Sequence, residues 1–475
     1  MIRALLGFIV IAALIVAAVF FADHPGQVEI VWRGWLLQTS VGVLAAVATL
    51  AGLAAALLVW LAWRILDSPR AFLRHRRERR RRAGYRALTQ GMVAVAAGDP
   101  REAQRFARKA DALLADPPLT LLLSAQAAQL EGDETAAAKF FTAMLDRRET
   151  EFLGLRGLLN QALRSGDRGA ALRLTRRAAT LRPGAPWVIE SRFGLEVRGG
   201  RWAAAEETLA RAVKYRIIPP ERARHHRGVI LHELSFAAMA NGDRRRGINL
   251  AGQARALAPD LATPAAHYAR QLLENGRPAP AAKALEVAWR TAPHPELAQV
   301  YRAIKDGEDP LARVKRFERL TAQNPNVRET YLTLAEAALA AQLWGETRRY
   351  LEQALTAPAP PIIARPGNSS SPSAAPNGNS HWAGPTGATP RLCVLMARLE
   401  EEENASTGGM REWLDRAVTA MPDPRYVCLS CGGESLEWRS LCPHCASFDS
   451  LAWRTPASAA SGMTLPIAVQ NDGSR

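Results

Sequence analysis

Apolar and polar positions divide the chain into three regimes. Ala4 to Ala22 carries no charged residue, nor does Gly34 to Trp63, and Val41 to Trp63 is nearly all Ala, Leu and Val. A helix needs roughly 20 apolar residues to cross the hydrocarbon core, so the pattern predicts a two-span transmembrane hairpin. No small-x-small cleavage site follows the first run, and a second span comes at once, which argues against a cleaved signal peptide. Between the spans, Val28, Ile30 and Trp32 recur at every second position, as in a small β-hairpin turning near Gly34; a plain tight loop is the alternative. After the second span, "WRILDSPRAFLRHRRERRRRAGYR" places ten arginines between Arg64 and Arg86 against two acids. Positive charge stays on the cytoplasmic side, so both termini are expected there. The segment Arg64 to Arg86 also suits anionic lipid headgroups, at about 1 kcal/mol per basic residue near the surface. It lacks aromatic interleaving or a groove-reading motif, so nucleic acid is not an expected partner.

The middle regime is helical and periodic. Turn motifs recur at Gly98, Gly132, Gly166 and Gly200, each 34 residues after the last, then at Gly242 and Gly276. The step from Gly200 to Gly242 is 42, so it carries an insertion of 42 − 34 = 8 residues, around "KYRIIPPERARHH". Further periods reach Pro310 and Gln342. Five residues after the glycines stand Ala103, Ala137, Ala171, Ala205, Gly247 and Ala281; a second small position recurs at Ala110, Ala178, Ala212, Ala254 and Ala288. Small residues at fixed phase permit close helix–helix contact. Pro183, Pro259, Pro293 and Pro325 then stop each second helix. This pattern of helix, turn, helix, small residues and closing proline resembles the tetratricopeptide repeat, over residues 84–357 in about eight units. Each such unit buries its apolar face only against its neighbours, which predicts an α-solenoid with a surface for proteins or peptides. No nucleophile–base pair or phosphate loop stands out along it, so we expect no catalytic residue, no cofactor-binding residue and no enzyme.

The third regime begins with residues 358–389, rich in Pro, Ser, Asn and Gly and expected to be a disordered linker. Residues 390–422 read as one more helical pair, with Ala417 and Pro422 in repeat phase. Then Cys428, Cys431, Cys442 and Cys445 form C-x2-C, ten residues, C-x2-C. Two such knuckles offer four thiolates in a tetrahedron, the all-cysteine arrangement for zinc, with iron in a rubredoxin-like site as the alternative. "CLSCGG" has the glycine that lets amides turn toward sulfur, whereas "CPHCAS" has alanine there. His444 is redundant as a ligand, and Trp438 is expected to pack over the small metal fold. Cys393 reads as a buried apolar residue. His225, His226 and His232, in and after the insertion, are expected to be solvated or capping.

Length and charge change this picture little. At 475 residues the chain is too long for one domain. Its net charge of +16 is almost all arginine, which outside the juxtamembrane stretch reads equally well as base composition. Five cysteines, four in one cluster, suit a reducing compartment rather than a disulfide framework. The expected organisation is an all-α chain: transmembrane hairpin 1–64, basic segment 65–83, solenoid 84–357, linker 358–389, terminal repeat 390–422, four-cysteine module 423–456 and disordered tail 457–475.

The loop "PGQVEIVWRGWLLQTS", the basic stretch after the second span and the tail "FDSLAWRTP" resemble the bacterial inner-membrane family HemY, grouped with haem (tetrapyrrole) biosynthesis. The resemblance implies a multi-pass inner-membrane scaffold that organises haem-biosynthesis enzymes or handles a porphyrin; no motif supports contact with haem or porphyrin. No catalytic residue is carried over, and the chain lacks the dinucleotide fingerprint of the flavin-dependent oxidase that shares the name. A membrane-anchored repeat protein ending in four cysteines is also similar to the LapB-type regulators of lipopolysaccharide assembly, which have one span. That resemblance implies an adaptor of lipopolysaccharide assembly or regulated proteolysis.

Overall fold

A computed structural model describes residues 15–16, 19–20, 26–32, 35–114, 117–358, 387–404 and 406–456. The chain divides into two compact units, residues 1–154 and 155–475. Strands β1 (Gln27–Trp32) and β2 (Trp35–Ser40) pair antiparallel, with Trp32 opposite Trp35 and Gln27 opposite Ser40. The alternation at Val28, Ile30 and Trp32 therefore does form a hairpin. The Val41 amide donates to the Gly26 carbonyl at 2.9 Å, so the hairpin leads directly into α1 (Val41–Ala97).

That helix joins two regimes of the sequence. Its first part, Val41–Ala62, has a mean hydropathy of 2.4 and is long and apolar enough to cross a membrane. Leu50, Leu53 and Leu58 are exposed on it, as expected of a helix that is apolar all round and has no protein to bury against. Among the described residues it is the one such helix. The first predicted span lies outside the described residues, except residues 15–16 and 19–20, which are helical. The arginine-rich stretch continues α1 without a break into the first repeat. The segment 359–386 and the tail from 457 also lie outside the described residues.

Helices then follow in pairs. In the first unit α2 (Pro100–Leu113) packs on α1, and α3 (Pro117–Glu131) pairs with α4 (Glu134–Met144). Helix α5 (Glu151–Arg164) carries the boundary between the units. The second unit continues with α6 (Arg168–Leu181), α7 (Pro186–Arg198), α8 (Trp202–Lys214), α9 (Pro220–Ala240), α10 (Arg244–Leu257), α11 (Ala262–Glu274) and α12 (Pro278–Thr291). It proceeds through α13 (Pro295–Arg302), α14 (Pro310–Thr321), α15 (Arg328–Ala340) and α16 (Trp344–Thr356) to α17 (Pro390–Asn404) and α18 (Thr407–Thr419). First helices stack on first helices through α11, α13, α15 and α17. The fold is an all-α, tetratricopeptide-like solenoid.

The recurring glycines have a backbone reason. Gly98, Gly132, Gly166, Gly200, Gly242 and Gly276 all lie at φ between 67° and 80°, the left-handed position that ends a helix without a Cβ penalty. At several of these turns the next residue is an aspartate whose carboxylate caps the following helix: Asp99, Asp133, Asp167 and Asp243 accept from Glu102, Ala136, Ala170 and Arg246 amides at 2.8–3.1 Å. At the eighth turn Gln342 takes φ 54° instead. Ala103, Ala137, Ala171, Ala205 and Ala281 are fully buried, as their phase requires. A Cβ at Gly247 would stand 2.2 Å from Met239 Sδ.

The insertion is helix. Helix α9 has 21 residues where its counterparts α7 and α11 have 13, a difference of 21 − 13 = 8. Two extra turns thus project beyond the common length of the pair. Cys393 is fully buried in α17 among Leu392, Met396 and Leu399, in the apolar role expected of it.

Candidate metal centre and its seat on the repeats

After α18 the chain forms a three-stranded antiparallel sheet, β4 (Glu434–Ser435), β3 (Arg425–Cys428) and β5 (Leu451–Arg454), with β3 central. Cys428 ends β3, and its carbonyl accepts from the Gly432 amide at 2.9 Å while its own amide donates to Gly433 at 2.8 Å. The second knuckle repeats this turn: Cys442 accepts from the Ala446 amide at 2.9 Å. Gly432 sits at φ 74° and Ala446 at φ 53°. The alanine that stands for glycine in the second knuckle therefore takes the same left-handed conformation, with a Cβ penalty.

This pairing of turns brings the four sulfurs together. They lie within 4.8 Å of one another and could hold a metal ion. Cys428 Sγ is 3.7 Å from Cys445 Sγ, and Cys431 Sγ is 3.8 Å from Cys442 Sγ. A tetrahedron with metal–sulfur bonds of about 2.3 Å has an edge of about 3.8 Å, so these separations fit such a site. They are far too long for disulfides, and all five cysteines are free thiols. Second-sphere partners are in place: the Ser430 amide donates toward Cys428 Sγ at 3.4 Å, and the Cys428 and Cys445 thiols donate to Ser450 Oγ and Ser447 Oγ, each at 3.2 Å. Burial disfavours the Cys428 thiolate, but Ser450 and the Cys431 and Ser430 amides outweigh it and bring the group to about 6. The Ser447 hydroxyl and amide also lower Cys445. His444 directs Nε2 to the Glu434 carbonyl at 3.1 Å, consistent with a residue outside the ligand set.

The module is seated on the second unit's helices. Phe448 lies edge-on to Phe193 of α7 at 5.4 Å and to His226 of α9 at 5.3 Å, and 6.3 Å from Trp202. Val229, Ala258 and Leu261 form one buried apolar cluster with Tyr426, Cys428, Trp438, Cys442 and Leu451. Trp438 thus packs over the cysteines as expected, and also meets His232 of α9 at 5.4 Å. Tyr426 Oη lies 3.1 Å from His294 Nε2, and Trp453 stacks edge-on to the same ring at 4.2 Å. The seat is therefore built largely from first helices of their pairs: α7, α9, α11 and the start of α13.

His225 fastens it. Nδ1 lies 2.7 Å from Asp449 Oδ2 in the module, and Nε2 lies 2.9 Å from Asp260 Oδ2 beside α11. Burial alone would lower this histidine, but hydrogen bonds and charge from Asp260 and Asp449 raise it to about 9. The imidazolium is thus clamped between two carboxylates. His232 is pushed down to about 3 by burial, aided by His267 and Arg270, and stays neutral. The expectation that His225 and His232 are solvated or capping is wrong: they are 7% and 3% exposed. Adjacent histidines are poor chelators, as read, but here they serve packing and an ion pair. Asp260 has no mark in the sequence, and Phe448 and Asp449 stand in the tail "FDSLAWRTP" with nothing local to assign them a place in the seat; the lengthened helix was the available signal.

Fold and site together define a tetratricopeptide-like repeat protein that carries a four-thiol module on its own repeats. Residues 26–132 match the family model described as "HemY protein N-terminus". That match contains the basic stretch and, from Gly26 on, the loop that carry the resemblance to HemY. Over 477 residues, 98% of each chain, the sequence is 27% identical to "Probable magnetosome protein Mms48" of Magnetospirillum gryphiswaldense. It is 31% identical to "Protein HemY" of Escherichia coli K12 over 137 residues, which span 29% of this chain and 34% of that protein. Solved structures include the Naa15/Naa10 complex bound to HypK-THB, at 14% identity and a TM-score of 0.37, covering 71% of this chain and 53% of that one. A tetratricopeptide repeat protein from Parabacteroides merdae, also 14% identical, covers 58% of this chain and all of its own length at a TM-score of 0.28. Likenesses this distant carry no argument about function.

Proposed function

We propose that this protein is a non-catalytic scaffold that holds partner proteins at the cytoplasmic face of a bacterial inner membrane. The observation that carries the reading is one chain joining a membrane-length apolar helix to helix pairs on a common period. Such repeats present extended surfaces that bind proteins or peptides. The arginines from Arg64 to Arg86 support the cytoplasmic orientation and contact with anionic headgroups. Cys428, Cys431, Cys442 and Cys445 hold zinc, with rubredoxin-like iron as the alternative; the sulfur separations and the converging donors support a metal of this class. The ion's part is structural, binding the knuckles into one rigid piece.

The HemY-type N-terminal segment supports service to haem biosynthesis, with membrane-associated enzymes of that route as partners. A second reading is favoured by the full-length likeness to a probable magnetosome protein: the same scaffold organising proteins of a membrane compartment. Affinity purification from membranes, with mass spectrometry of captured proteins and elemental analysis of the bait, tests both. Recovery of haem-synthesis enzymes supports the first and recovery of compartment proteins the second. Capture no better than from a control membrane bait overturns the scaffold.

A further inference from the structure

The cysteine residues belong to the contact as well as to the metal site. Cys428 and Cys442 are buried in the same cluster as Val229, Ala258 and Leu261 of the repeats. The second knuckle also sets the loop that makes the other contacts. Cys442 donates its amide to the Ser447 carbonyl at 2.9 Å, and Asp449, at φ 51°, donates its amide to Ser440 at 2.7 Å. Between those two bonds stands Phe448, and beyond it the carboxylate that meets His225. Pinning Cys442 and Cys445 thus presents Phe448 and Asp449 to α7 and α9. The module is too small to build a sufficient core, and segments of this size rely on their metal to stay folded.

We infer that metal occupancy and seating are coupled, so that the module is a metal-dependent cover over the face made by α7, α9, α11 and the start of α13. This rests on the metal assignment above. In the structure Val229, Leu261, His225 and His232 are shut away, and the bound metal is what holds the cover in that closed position. With metal lost, the loop carrying Phe448 and Asp449 loosens, and the chain exposes an apolar, histidine-bearing surface on its repeats. Seating of the module and metal content then report on one another, because a metal that binds the seated module preferentially shifts the equilibrium toward it.

Hydroxyl-radical footprinting of the full chain in detergent, read by mass spectrometry with zinc and iron measured in the same samples, tests this. Chelation should raise labelling of Val229, Leu261, Phe193 and His232 several-fold while Phe317 and Leu351, deep in the later repeats, stay protected. Cys442→Ser should expose the same face with the metal lost, and, if that variant does not fold, Phe448→Ala should expose it with the metal retained more weakly. Unchanged labelling after metal is stripped overturns the coupling but leaves the metal assignment standing. Equal exposure of Phe317 and Leu351 also overturns it, since the metal would then be a general stabiliser. Purified protein with no metal and a protected face overturns both the coupling and the assignment.

Discussion

The His225 clamp makes a quantitative prediction about pH. The imidazole titrates near 6.5 in the unfolded chain and at about 9 in the folded one. A raised folded value means that stabilisation is complete below pH 6.5 and is lost as pH climbs through 9. Two and a half units correspond to roughly 3 kcal/mol when fully expressed. By the same linkage most of this is present at pH 7 and little of it at pH 9, a loss of about 2 kcal/mol. The groups facing the ring are Asp449, Asp260 and, 3.7 Å from the Asp449 carboxylate, His226. Urea unfolding of the full chain in detergent, followed by tryptophan fluorescence because Trp438 is buried at the seat, should show the transition moving to lower urea between pH 7 and 9. His225→Gln should be less stable at pH 7 and should largely lose that slope. A wild-type transition that stays level across the window, or a His225→Gln protein that keeps the slope, would refute the buried ion pair as its source.

Three further outcomes follow from backbone and charge. Gly200→Ala, at φ 67°, should destabilise by about 1 kcal/mol, whereas Gly194→Ala, inside α7 with nothing within 4 Å of its Cβ position, should stabilise by up to about 1 kcal/mol; paired urea midpoints check this. Ala446→Gly should relieve the φ 53° of the second knuckle, gaining about 1 kcal/mol and slowing metal loss to a chelator. A reporter active only in the periplasm should be silent after Arg475 and active when inserted at Gly26; the reverse pattern would overturn the cytoplasmic placement of the repeats.

The repeat pattern was legible in the sequence because each pair meets the same demand as its neighbours. A turn between two helices needs a left-handed residue, so glycine recurs at Gly98, Gly132, Gly166 and Gly200; helices in contact need a small side chain, so alanine recurs five residues on. The thiol cluster was legible for a related reason, since two short knuckles fix their sulfurs locally and only one long step brings them together. The 42-residue step likewise announced an insertion. What the insertion does was decided by the tertiary structure alone. His225 meets an aspartate 224 residues further along the chain, and no local pattern marks that pair. A histidine beside a histidine reads as solvated when its neighbours in sequence are arginines, and it becomes a buried cation only when two carboxylates arrive from the turn before α11 and from the cysteine module. Local spacing encodes what each segment does with itself; burial, and the charge state that burial imposes, depends on which distant segments come to cover it.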